Sequence, residues 1–134
     1  MSASLATRRA HLLAERAQID ANGGGALWLL AGTMPAQPED LPLQPPLAII
    51  TLADPSFDMD PVAAAMTLVA VGNVAVAGQP TWARFVDGAG NPVRDITAGP
   101  PGSGAQAIVT DGKSPPSAAL FVGGEVTVTA TFTY

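Results

Sequence analysis

Hydrophobic positions along this chain follow two different periods. Over residues 5–21 the apolar side chains Leu5, Leu12, Leu13 and Ile19 recur at three- to seven-residue spacing on one side, with Arg8, Glu15 and Arg16 interspersed, which is the pattern of an amphipathic helix. Ser4 stands where an N-cap belongs, and the run Asn22-Gly23-Gly24-Gly25 stops the helix. Beyond Ala26 the period falls to two. Short runs of Val, Thr, Ile and Ala, separated by Gly, Pro, Asn and Asp, predict strands near 27–31, 47–52, 65–77, 81–87, 92–96, 105–109 and 125–134. The last is the clearest: Val126, Val128, Ala130, Phe132 and Tyr134 make one face, and Thr127, Thr129, Thr131 and Thr133 the other. A one-residue slip would turn that apolar face outward, so its register is strongly set.

Short strands at this spacing predict a mainly β fold, an antiparallel β-sandwich or jelly-roll-like domain of about seven strands with one N-terminal α-helix. A helical arm over residues 1–22 would lead into a β domain over 23–134. The sequence Asp87-Gly88-Ala89-Gly90-Asn91-Pro92 predicts a hairpin loop. Two further loops are rich in proline or glycine, one studded by Pro35, Pro38, Pro42, Pro45 and Pro46 and the other running over 99–104. Stiff surface loops of this kind commonly make contacts.

Composition changes the picture in three ways. Hydrophobic residues are 48% of the 134 and charged ones 13%, so the chain has enough apolar surface to fold. Aromatics are only 5%, so the core is lean and contact with neighbouring molecules would supplement it. The formal charge is −5, and because Arg8, Arg9 and Arg16 face only Glu15 and Asp20 in the first twenty residues, that segment is +1 and the remainder −6. An acidic body repels phosphate, which argues against nucleic acid as a partner. The apolar runs are far shorter than the ~20 residues of a membrane-spanning helix. Charges at Arg8, Arg9, Glu15 and Arg16 interrupt what would be the apolar region of a signal peptide, so synthesis in a cytoplasm is expected. With no cysteine, disulfides and thiolate chemistry are excluded.

Candidate chemistry is sparse. His11 is the single histidine, so one chain can assemble neither a two-histidine metal site nor a Ser-His-Asp triad. Asp54, Asp58 and Asp60 could offer oxygen ligands to calcium, but their spacing lacks the glycine and distal glutamate of an EF-hand loop, and Pro55 and Pro61 point to a turn. The glycine run at 99–104 lacks the Lys-Ser/Thr of a phosphate loop. No enzymatic activity, metal or cofactor is expected. Trp28, Trp82 and Tyr134 could form a sugar-stacking platform, which leaves a carbohydrate-binding module for host attachment as an alternative of another class.

Three segments in order, 50–57 (Ile-Thr-Leu-Ala-Asp-Pro-Ser-Phe), 81–93 (Thr-Trp-Ala-Arg-Phe-Val-Asp-Gly-Ala-Gly-Asn-Pro-Val) and the terminal strand from Gly123, give the chain a pattern that resembles a family of small tailed-phage and prophage structural proteins. The resemblance extends over most of the chain, including the Arg- and Leu-rich helix. It implies a non-enzymatic virion component made in the host bacterial cytoplasm, a capsid decoration or cement protein that binds the major capsid protein and forms homo-oligomers. The alternative within the class is a tail, neck or head-fibre component. Leu5, Arg8, Leu12, Leu13, Arg16 and Ile19 on the helix, with Pro42, Pro45 and Pro46 on the proline-rich loop, are the candidate contact residues. The proline-rich loop and the stretch 96–101 depart from the family pattern.

Overall fold

A computed structural model describes residues 3–111 and 119–133 of the chain. The helix α1 spans Leu5–Asp20, and the Ser4 hydroxyl caps it by accepting from the Thr7 N–H. Ala21 ends it in an extended conformation, followed by positive φ at Asn22, Gly23 and Gly24. Eight strands follow among the described residues: β1 (Ala26–Leu30), β2 (Ala48–Thr51), β3 (Asp58–Met59), β4 (Ala65–Asn73), β5 (Trp82–Val86), β6 (Pro92–Gly99), β7 (Ala107–Thr110) and β8 (Glu125–Thr133).

All eight belong to one sheet, in the order β2-β1-β5-β6-β7-β8-β4-β3. The sheet is mixed, because β6 and β7 run parallel through the pairs Ala98–Ala107 and Gly99–Ile108 while every other pairing is antiparallel. It curls into a half-barrel that brings β2 near β4. There the Leu47 carbonyl accepts from the Ala75 and Val76 N–H groups, and a Cβ on Gly72 would lie 2.7 Å from the Ile50 side chain. The expected antiparallel sandwich is therefore corrected to a single curled mixed sheet. Period-two alternation states which face of each strand is buried, and it is silent on whether the strands share one sheet or divide into two.

The concave face holds the core. Leu27, Leu29, Ile50, Ala83, Phe85, Ile96, Val109, Val126, Val128 and Phe132 point inward, and α1 closes the hollow with Leu12 and Ile19. Phe57, from the segment between β2 and β3, lies between Phe85 and Phe132 at ring-centroid distances of 5.5 and 4.8 Å. Its burial compensates for the low aromatic content by placing three rings together. Two glycines let the helix end meet the sheet. A Cβ on Gly25 would come within 2.4 Å of the Ile19 carbonyl oxygen, and one on Gly88 within 2.0 Å of the Asn22 carbonyl oxygen.

Candidate functional site

The helix is tied to its own chain by charged side chains. Arg9 donates to the carbonyls of Asp60 and Ala63, and Arg16 to the carbonyl of Phe57 at 3.0 Å. Glu15 accepts both bonds from Arg94 Nη1, at 2.9 and 3.0 Å, and the Asp20 carboxylate accepts the Ser56 N–H. Arg94 also lies over the Phe132 ring at 4.5 Å. Of the expected contact residues, Leu12 and Ile19 are therefore corrected: they are sealed in the core of the same chain, where no neighbour can reach them. Arg16 is half-buried and spent on Phe57, and Arg8 is half-buried. Leu5 and Leu13 remain on the exposed side of the helix. His11, also exposed, borders a shallow cavity of about 250 Å³ with Glu15, Gln18 and Val93.

The convex face of the sheet divides into two halves. On β1, β5 and β6 a row of directly opposed residues runs Trp28, Arg84, Asp95. The Arg84 guanidinium holds the Asp95 carboxylate bidentately at 2.7 and 3.0 Å, with both side chains about 95% removed from water. It also stacks 5.3 Å from the Trp82 ring centre. Fork-to-fork geometry of this kind satisfies a buried pair that would otherwise be costly to desolvate. Over this half leans the proline-rich loop. The Thr81 hydroxyl donates to Gly32 O, Trp82 Nε1 donates to Ala31 O, and Leu43 and Gln44 enclose with Trp82 a cavity of about 200 Å³.

The loop itself presents its apolar residues outward. Leu41 and Leu43 are 85% and 94% exposed, while Pro42 and Pro46 are half-buried and Pro45 is exposed. Beside the loop's anchor at Thr81, an open groove of about 380 Å³ between Gln79 and the 97–105 turn is lined only by uncharged residues. Trp82 is 2% exposed, so it offers no ring face to a sugar, and the three-aromatic platform does not form around it. Trp28 is half-buried on the convex face, and Tyr134 lies outside the described residues.

The other half, on β7, β8 and β4, carries no covering segment among the described residues. Its rows read Ile108, Thr129, Val69 and then Thr110, Thr127, Val71, with Thr131 opposite Thr67. This is the outward threonine face expected from the sequence.

The chain matches no family model, no curated protein and no solved structure. Its function is therefore argued from its own surfaces. No three His, Cys, Asp or Glu side chains gather into a metal-holding group among the described residues. Of the three aspartates weighed for calcium, Asp60 uses one carboxylate oxygen to accept the Val62 and Ala63 N–H groups, and Asp58 lies on β3. No helix among the described residues is long and apolar enough to cross a membrane.

Sequence reasoning missed the polar joints. Asp87 accepts from the Ala89 and Asn91 N–H groups and from the side chains of Asn91 and Asn22. The Asn91 side-chain and backbone bonds, with those from Ala89 and Asn22, hold its carboxyl below the usual aspartate value against the opposing effect of burial. An Asp opening a Gly- and Asn-rich turn was the available signal. Arg9, Arg94 and the Arg84–Asp95 pair had no comparable local signature.

Proposed function

We propose that this chain is a non-enzymatic structural subunit that works by holding neighbouring proteins together. Its place would be in a tailed-phage virion, as a decoration or cement protein on the capsid shell. The observation that carries the reading is the pair Leu41 and Leu43, almost fully exposed on a loop whose base is hydrogen-bonded to Thr81 and Trp82. Large aliphatic side chains held in water by a pre-ordered, proline-stiffened segment cost little further ordering when a partner covers them. Fully burying each would return ~1.5–3 kcal/mol before association costs. The helix braces the body, and the loop supplies the joint to shell subunits, with the exposed Leu5 and Leu13 as a second contact.

Purified particles from the virus that encodes the chain provide the test. Several hundred copies per particle, and loss of heat or osmotic resistance when the protein is absent, are expected for a shell protein. A few to a few dozen copies would move it to the tail, neck or head fibre. Absence from the particle altogether would sink the reading. Within a particle that contains it, Leu41→Ser with Leu43→Ser should release the protein from the shell while leaving its fold intact.

A further inference from the structure

The half of the convex face formed by β7, β8 and β4 combines exposed apolar side chains with an absence of charge across three paired strands. Val69 is 66% exposed and Val71 54%, and around them stand Ile108 and the hydroxyls of Thr67, Thr110, Thr127, Thr129 and Thr131. No side chain in these rows is charged, whereas the protein carries −5 overall. Among the described residues, acidic side chains stand at its border: Glu125 opposite Asn73 and Asp111 after Thr110 at one end, and Asp58 beside Thr67 at the other.

We propose that this face is a self-association surface that takes a second copy of the same chain, sheet against sheet, about a two-fold axis. The choice of occupant follows from charge. Two molecules of net charge −5 repel wherever acidic surface meets acidic surface, and an uncharged face is where that cost is smallest. Rows of β-branched residues on a pleated surface can interdigitate with their own copies along the strip where two convex faces touch, as a two-fold contact requires. The border acids fix the orientation. An axis along the strands would set Glu125 of one copy on Glu125 of the other, whereas an axis across the strands sets it over the Thr131 end. In that arrangement Val69 of one copy meets Val71 of the other, and the two Asp58 side chains lie at opposite ends of the shared β3 edge.

The size of the face sets the strength. Nine-residue strands β4 and β8 run about 30 Å, and three strands cover about 14 Å, so roughly 400 Å² of each copy is buried. About 800 Å² in total is an upper bound for two curved faces and lies below the roughly 1,000 Å² of a standard specific interface, which predicts a weak and rapidly exchanging pair. Repetition on a scaffold would raise the effective concentration and make the contact persistent. The inference does not depend on the virion reading.

Sedimentation equilibrium of the full chain from about ten micromolar to about one millimolar tests it. A monomer–dimer equilibrium is expected, with a dissociation constant of roughly tens to hundreds of micromolar. Because the contact is uncharged and the chains repel, added salt should strengthen the pair rather than weaken it. Val71→Glu should weaken it at least tenfold with an unchanged thermal melt, and the loop variant Leu41→Ser with Leu43→Ser should leave it unaltered. A monomer throughout the range, or a dimer that survives both Val71→Glu and Val69→Glu, overturns the inference. A dimer broken by salt or by the loop variant overturns it as well. The pair would stand even if the protein were absent from virus particles, so its failure and that of the shell assignment are separable.

Discussion

The two halves of the convex face meet the same requirement by different means. On β1, β5 and β6 the chain secures its own sheet: the base of the proline-rich loop is bonded to Trp82, and Arg84 and Asp95, both buried, neutralise one another. On β7, β8 and β4 it leaves Val69 and Val71 in water among threonines. A half secured within the molecule contributes to folding, and a half left bare contributes nothing until something covers it. The contrast separates stability from association, so substitutions on the two halves should read out in different measurements.

The largest effect should come from the covered half. Arg84→Ala leaves the Asp95 carboxylate buried without its partner, and that loss should cost about 3–5 kcal/mol in urea or guanidinium unfolding. Thr129→Ala, at the centre of the bare half, should stay within about 0.5 kcal/mol. Equal losses would erase the distinction between the halves.

Next comes the base of the proline-rich loop. Trp82→Phe keeps an aromatic ring in place but removes the donor to Ala31 O, which should cost about 1–2 kcal/mol. Because the bond ties the sheet to the proline-rich loop, limited proteolysis within residues 33–46 should quicken by more than global stability alone explains. Unchanged cleavage would mean that the prolines, not Trp82, hold the loop.

How much of this could be read from the chain depends on the distance over which each feature is specified. The helix, its Ser4 cap and seven of the eight strands are local patterns, and they lie where the sequence places them. The two-residue β3 was hidden, because Asp58-Met59 carries no alternation long enough to read. The parallel pairing of β6 with β7 was also hidden: the glycine–proline segment after Gly99 looks like an ordinary loop, and only the tertiary fold shows that it returns the chain in the same direction. The ion pair shows the limit most clearly. Counting outward from the 87–91 turn, with Val86 opposite Pro92, would set Arg84 across from Arg94. An irregularity between Phe85 and Val86 shifts the register by one, so Phe85 faces Arg94 and Arg84 faces Asp95. That single extra residue turns a like-charge clash into a salt bridge and sends Arg94 inward to Glu15. Leu12 and Ile19 on the helix were misassigned to a neighbour for a related reason. An apolar stripe predicts that something covers it without saying whether the cover is the same chain or another.

A smaller effect, confined to acid, should appear at the joint between the helix end and the covered half. The Asp87 carboxyl is held below its ordinary value by the hydrogen bonds it accepts, so its charged form is the one the folded state favours. A group with a depressed folded value contributes its stabilisation in full above the unfolded value, and loses it as pH falls through the folded one. The stability difference between the native chain and Asp87→Asn should therefore be constant from pH 7 down to about pH 5, then shrink below about pH 4. A difference that instead grew in acid would assign the wrong sign to these bonds.

The smallest effect on stability should come from the bare half, and there it is most informative. Replacing both Val69 and Val71 by threonine keeps the β-branched shape and the strand preference, and exchanges one methyl for a hydroxyl at each position. Both residues are exposed, so unfolding should move by less than about 0.5 kcal/mol. If two copies bury this face against one another, the same change removes a methyl at four places in the contact. At about 0.8 kcal/mol for each buried group of that size, dimerisation should weaken tenfold or more. A variant that is as stable as the native chain yet sediments as a monomer would show that these valines serve a neighbour rather than the fold. An unaltered dimer would mean that the face is bare only because threonine and valine tolerate water, and the contrast between the two halves would then carry no functional meaning.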